Sequence, residues 1–168
     1  GGALPPGAEA LIARAGALVL HRAGVKLDIM GGEEWCCTSP ALRTGQTDLT
    51  TEFAEHNIRQ VETKGAKSMV MPCAGCFKTA SHDYGKYYGN PTFPVYHFTQ
   101  YVVRLIKERK LKFTKDLNVK VTYHDPCHLG RHGGVFDEPR EILNKMPGVE
   151  LIEMPRNRMG SRCCGAGG

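Results

Sequence analysis

The sequence predicts an α/β fold of Rossmann-like parallel-sheet units in two pseudo-repeated halves, residues 1–98 and 99–168, the second incomplete at its end. Three observations carry this expectation. Strand-type runs alternate with stretches of helical period along the chain, the signature of βαβ units. Two strands, 67–72 and 119–124, lead to a cysteine immediately after a proline, at Cys73 and Cys127. A strand is also expected before each vicinal pair, Cys36-Cys37 and Cys163-Cys164. In open α/β sheets ligands gather beyond the carboxyl ends of strands, so these cysteines stand where a site belongs.

The elements follow in order. Residues Pro6 to Ala23 read as a helix, with Leu11, Ile12, Ala15, Leu18 and Val19 recurring every three or four positions and Gly24 as its cap. Val25 to Met30 alternates apolar and polar residues like a strand and ends in Gly31-Gly32. A second helix is expected over 48–64, with Leu49, Phe53, Ile58 and Val61 on one face and Gly65 closing it. Strand 67–72 and a weaker helix over 77–88 come next. Pro94 to Phe98 reads as a strand, and Thr99 caps the helix that carries Val102, Val103, Leu105 and Ile106. After strand 119–124, a helix over 138–146, the Pro147-Gly148 turn and a last strand over 149–154 complete the pattern.

Composition narrows the function. With 41% hydrophobic and 23% charged residues in 168, the chain is an ordinary globular one, not a disordered tail. No apolar run approaches the roughly 18 residues that cross a bilayer, and no signal-peptide pattern opens the chain. A net charge of +5 is too mild to argue for nucleic acid, and none is expected as a partner. Seven cysteines is the unusual number. It falls below the roughly 8–10% of a disulfide scaffold, and an odd count leaves one thiol over in any pairing scheme. A reducing, cytoplasmic setting is expected, where clustered cysteines bind metal or do redox work.

The thiols fall in four places: Cys36-Cys37, Cys73-Ala-Gly-Cys76, Cys127 and Cys163-Cys164-Gly165. The interval from Cys37 to Cys73 and that from Cys127 to Cys163 both hold 35 residues. Thiolates are natural ligands of soft metals and of iron–sulfur clusters. A CxxC turn sets two sulfurs within reach of one metal, whereas vicinal side chains diverge and suit two irons of a polynuclear cluster. Zinc competes, because Cys36, Cys37, Cys73 and Cys76 can supply four sulfurs. A thioredoxin-like disulfide at Cys73 and Cys76 would leave five thiols unexplained.

Three segments carry a resemblance: Glu34-Trp-Cys-Cys-Thr-Ser-Pro-Ala-Leu-Arg43, Tyr123-His-Asp-Pro-Cys-His-Leu-Gly-Arg131 and Ser161-Arg-Cys-Cys-Gly-Ala-Gly-Gly168. They resemble the cysteine-rich CCG domain of heterodisulfide reductase catalytic subunits. The same domain occurs in iron–sulfur subunits of glycolate-, lactate-, glycerol-3-phosphate- and electron-transfer-flavoprotein-linked oxidoreductases. The family motif is a lone cysteine, a vicinal pair and a CxxC, occurring twice, and each copy holds a noncubane 4Fe–4S cluster in heterodisulfide reductases.

The resemblance implies that Cys36, Cys37, Cys73 and Cys76 bind one cluster and that Cys127, Cys163 and Cys164 contribute to a second. It puts the first copy's leading cysteine near residue 1 and the second CxxC past Gly168, so the chain is expected to be a fragment. Thr38 departs from the glycine usual after the first pair. The implied role is an electron-transfer module working to or from a disulfide or quinone-linked acceptor. Either a disulfide is reduced at a cluster, or the clusters only relay electrons to another chain. Expected partners are ferredoxin-like or flavoprotein redox subunits, with any membrane association made through them. A zinc-binding structural or assembly module is the alternative.

Other residues have two readings. His124, His128 and His132 flank Cys127; His128 and His132, four apart, could share a helix face as metal ligands, and the three could tune a cluster or deliver protons, or only shape the loop or sit at the surface. The glycines of Gly130-Arg-His-Gly-Gly134 are expected to let backbone approach a cluster. Arg104, Lys107, Arg109, Lys110, Lys112, Lys115 and Lys120 form a basic run, read as solvated surface or as a dock for an acidic redox partner. Trp35 either shields a cluster from water or packs in the core.

Overall fold

The computed structural model describes residues 8–165 of the chain, and these form two compact units. One is Leu27–His97; the other joins residues 8–26 to 98–165. The architecture is mixed α/β, with two small parallel sheets of two strands each among the described residues.

In the Leu27–His97 unit, helix α3 (Asp48–Thr63) supplies the largest apolar face, and Ala54, Ile58 and Val61 are buried on it. (Helix α2, Ser39–Arg43, precedes it; α1 belongs to the other unit.) Leu49 lies outside that face and is exposed, contrary to the expected stripe. Gly65, with φ +63°, ends the helix, and the Gly65 and Ala66 amides donate back to the Glu62 and Val61 carbonyls. Strand β1 (Met69–Met71) pairs in parallel with β2 (Val95–His97), Met69 opposite Val95 and Met71 opposite His97. The crossover between them runs through α4 (Ala74–Lys78), a π turn (Thr79–Asp83) and α5 (Tyr84–Tyr87), then an irregular stretch over 88–94. Lys78 grips Asp83 at 2.6 and 2.7 Å, an i,i+5 pair that matches the wider pitch of the π turn. Ala80 and Tyr84 close the core against Ala54 and Ile58, with Met71, Phe93 and Val95 at its edge.

One expected strand is not there. Residues 27–30 run irregularly into a 3-10 turn at Gly31–Glu33. The alternation of Val25, Leu27 and Ile29 needs a sheet to bury its apolar side. No strand pairs with it among the described residues, and Leu27 and Ile29 are exposed. Helix α2 was not anticipated either; it is short, with Pro40 in its first turn.

In the other unit, α1 (Ala8–Arg22) ends at Gly24, φ +74°, where the Val25 amide reaches the Leu20 carbonyl. Its expected start at Pro6 lies outside the described residues. Helix α6 (Phe98–Lys107) begins one residue before Thr99, which therefore sits inside the first turn rather than capping it. Val102 and Val103 pack on Ile142 of α7 (Asp137–Lys145), with Val19, Phe98, Ile106 and Met146 around them. Strand β3 (Val119–Val121) pairs in parallel with β4 (Val149–Leu151), so β3-α7-β4 is a second βαβ crossover. Both strands are shorter than the runs read from sequence. The basic run is largely paired at the surface: Arg104 and Lys110 on Glu108, Lys107 on Glu141 and Lys120 on Glu150.

Candidate metal centres

None of the seven cysteines is joined in a disulfide, and each unit gathers its own set of thiols. In the Leu27–His97 unit, Cys73 follows β1 and caps α4, with φ −92° and ψ 124°. The first turn of α4 then brings Cys76 back over it. Cys37 comes from the loop before α2, and its Sγ lies 3.0 Å from that of Cys76.

Cys76 is the neighbour that most strongly shifts both Cys37 and Cys73, and Cys36 also acts on Cys37. Cys76 shares its proton with both neighbours, which holds its own pKa far up. The same contact pulls Cys73 down to about 5; burial opposes this, and the Cys76 and Gly75 amides and the Arg43 charge add to it. Cys37 is lowered to about 7, again chiefly by Cys76. Two thiolates are therefore available near neutral pH, and the thiolate is the form that binds metal. Among the described residues, no group of three or more His, Cys, Asp or Glu forms a ready cage for one ion.

Residues outside the thiol set hold its backbone in place. Asn57 of α3 is buried; its Nδ2 donates to the Trp35 carbonyl at 3.2 Å, the Cys36 carbonyl at 3.4 Å and the Tyr84 hydroxyl at 3.2 Å. Its Oδ1 accepts from the Trp35 amide. Burial pushes Tyr84 up to about 12, and the nearby thiols of Cys37, Cys76 and Cys36 add to that. Trp35 is exposed, stacked on His56 at 3.8 Å and edge-on to Phe53 at 5.0 Å. Neither Asn57 nor Tyr84 was singled out from sequence, because partners 22 and 27 residues apart leave no local pattern.

Behind Cys73, buried His97 holds the Pro72 carbonyl at 3.2 Å, and burial lowers its pKa to about 4. Its ring is expected to stay neutral down to about pH 5, with a proton resonance that does not titrate between pH 5 and 8. The unfolded chain takes up that proton near pH 6.5, so the stability tied to His97 is present above 6.5. It falls as the pH drops toward 4, by at most about 1.4 kcal/mol per pH unit. A ring titrating near 6.5 in the folded protein would contradict this.

In the other unit, Cys127 faces the vicinal pair. Burial raises its pKa, and the hydrogen bond and charge of Cys163 and the charge of Cys164 raise it further. The Ser161 hydroxyl donates to the Asp125 carbonyl at 2.9 Å, and Arg131 donates to the Met159 and Ser161 carbonyls. His124 bonds the Arg162 carbonyl at 2.9 Å. The loop-shaping reading of His124 thus has a concrete form. The rings of His128 and His132 meet edge to face at 5.6 Å. Gly130 is needed for a different reason from the one expected: a Cβ there would lie 2.5 Å from the Phe136 ring.

The two vicinal-pair loops repeat each other. Each starts with a 3-10 turn, Gly31–Glu33 or Arg158–Gly160, whose first residue has positive φ, +61° at Gly31 and +51° at Arg158. Each reaches its cysteine pair three residues later. The residue after the pair is again left-handed, Thr38 at +64° and Gly165 at +83°, and its amide points at the first sulfur from 3.4 Å. Glycine fits that position at no cost, whereas a β-branched residue there bears roughly 1–2 kcal/mol of strain. Thr38 bears it while buried, its hydroxyl donating to the Cys37 carbonyl at 2.6 Å.

Two thiol clusters, each with a cysteine beyond the first strand of a parallel βαβ crossover and a vicinal pair on a repeated loop, define a duplicated cysteine-rich domain. The chain belongs to the family described as Cysteine-rich domain (CCG), which matches residues 8–79 and 121–168. It is similar to a subunit of the dihydromethanophenazine:CoB–CoM heterodisulfide reductase of Methanosarcina mazei, 48% identical over 94% of this chain and 39% of that protein. It is also similar to the EtfAB:quinone oxidoreductase of Syntrophomonas wolfei, 39% identical over 89% of this chain and 21% of that one. A third relative, of Bacillus subtilis, carries the name "Probable iron-sulfur-binding oxidoreductase FadF" and is 41% identical over 90% of this chain and 21% of its own length. The chain thus spans about two fifths or less of these relatives. No solved structure matches it.

Proposed function

We propose that this chain is an iron–sulfur electron-transfer module of a heterodisulfide reductase-like oxidoreductase. The observation that carries the reading is the gathering of Cys36, Cys37, Cys73 and Cys76 in one unit, with the Cys37 and Cys76 sulfurs 3.0 Å apart and the Cys37 and Cys73 thiols shifted toward their thiolate forms. A vicinal pair, whose side chains diverge, beside a CxxC turn meets the several irons of one 4Fe–4S cluster better than a single tetrahedral zinc. Cys127, Cys163 and Cys164 provide part of the ligation of a second cluster. A bound cluster supplies one-electron transfer at thiolate-held iron.

The chain's own residues fix that chemistry in place. The Thr38 and Gly165 amides aim partial positive charge at the first sulfur of each pair and favour its thiolate form. Asn57 holds the Cys36 backbone, and Tyr84 seals the site from below with a buried hydroxyl. We read residues 1–98 and 99–168 as the two repeats, each a small Rossmann-like unit. The acceptor is a disulfide or a quinone-linked group, as the names of the relatives suggest, and the donor is a ferredoxin-like or flavoprotein subunit. Among the described residues no helix is long and apolar enough to cross a membrane.

Electron paramagnetic resonance of the anaerobically reconstituted, oxidised protein tests the role. Addition of a thiol should perturb the cluster signal if a disulfide is reduced at the cluster. An unchanged signal, with reduction by a donor subunit intact, marks a relay. A protein that shows no iron-based signal in any redox state contradicts both.

A further inference from the structure

A buried ionic hub stands beside the Cys127 site. Arg140 of α7 and Asp125 are both almost fully buried, and the guanidinium meets the carboxylate with two parallel bonds of 2.7 and 2.8 Å. Its remaining donors go to Glu153, at 2.5 and 2.9 Å, and to the Phe136 carbonyl, at 2.7 Å. All five N–H groups of the guanidinium are thereby used. Tyr123 lies under it, ring centroid 5.3 Å from the guanidinium carbon.

The hub reaches both halves of the thiol set. Asp125 is two residues before Cys127. Its second carboxylate oxygen also accepts the Arg158 amide at 2.6 Å, and its carbonyl accepts the Ser161 hydroxyl at 2.9 Å. Residues 158–161 are the 3-10 turn and step that lead into Cys163 and Cys164. One guanidinium therefore ties together the Cys127 turn, helix α7, the chain just after β4 and, through Asp125, the vicinal-pair loop. In the Leu27–His97 unit, Asn57 holds the backbone of Trp35 and Cys36.

We propose that Arg140 is a positioning residue of the Cys127, Cys163 and Cys164 site, setting through Asp125 the spacing at which these three sulfurs meet a metal cluster. This rests on the reading of those cysteines as ligands. Burying a charge pair is a poor way to gain stability, since apolar replacement of both partners is often neutral. What a doubly bidentate guanidinium adds is geometry: the two carboxylates it grips lie 28 residues apart in sequence, one just before Cys127 and one at the approach to the vicinal-pair loop. Outer residues that orient ligands typically change metal affinity by roughly 10–100-fold.

The test uses the whole chain carrying Cys73→Ser, so that reconstituted iron reports the second site, with iron affinity measured by chelator competition after loading with ferrous iron and sulfide. Arg140→Lys keeps a cation but cannot hold both carboxylates in a fork. It should lower the iron affinity of that site at least about tenfold and shift its paramagnetic signal. Asp125→Asn with Arg140→Met removes both buried charges; it should melt close to the parent and still lose the iron. A lysine variant that holds iron as tightly as its parent, with the same signal, overturns the inference alone. A parent that binds no iron at all overturns the second-site reading and this inference with it.

Discussion

Replacing Cys73 by serine is expected to remove more than nine tenths of the iron held by the Leu27–His97 unit and to leave the iron of the other unit in place. Cys73 is the most strongly acidified thiol of this unit, held at about 5 by Cys76 and by the amides of the α4 turn it caps. A serine hydroxyl ionises far above neutrality and gives iron no ready anionic ligand. The fold should not suffer, because serine is among the favoured N-cap residues and Cys73 is exposed. Loss of a ligand without loss of the fold separates the two roles cleanly. Iron content and the paramagnetic signal of each site, measured beside a thermal melt, check this. Equal loss from both units would contradict the assignment of ligands to separate sites.

Arg140→Met is expected to destabilise its unit by about 3–5 kcal/mol, the cost of leaving a buried charge without its partner. The uncompensated group is Asp125, which the Arg140 guanidinium holds well below the usual carboxylate range, with the Arg158 amide assisting. The sign of the pH dependence follows. Because the folded-state pKa is depressed, the stability tied to Asp125 is present above the unfolded value near 4 and is lost as the pH falls through the folded one. In the methionine variant Asp125 loses that help and protonates at higher pH, so the deficit is largest near neutrality and shrinks in acid. Denaturant titrations of both proteins at pH 7 and pH 4 measure it; a deficit independent of pH would contradict the account.

The legible parts of the fold were those governed by local rules. Helices over 48–63 and 98–107 follow from apolar period, and Gly24 and Gly65 mark helix ends because only a left-handed residue finishes them at low cost. The stretch at 25–30 misled because alternation describes a strand only when a neighbour strand covers it. The π turn at 79–83 was hidden for a similar reason: its signal is one Lys78–Asp83 pair of unusual spacing. At the candidate site, the gathering of Cys36, Cys37, Cys73 and Cys76 in one unit and of Cys127, Cys163 and Cys164 in the other follows the order in which their motifs occur. The groups that hold them do not. Asn57 acts on backbone, and Arg140 on carboxylates, more than a dozen residues away, through hydrogen bonds that no periodicity announces. Thr38 is the instructive intermediate: an odd residue in sequence, whose left-handed backbone shows why glycine is the easier choice there.

The central claim is that these thiols hold iron–sulfur clusters. Iron and acid-labile sulfide, measured per chain in protein purified without oxygen, test it most directly. The account predicts a brown protein with iron and sulfide in near-equal amounts, both falling when Cys73 is serine. A colourless protein carrying stoichiometric zinc and no sulfide would contradict it.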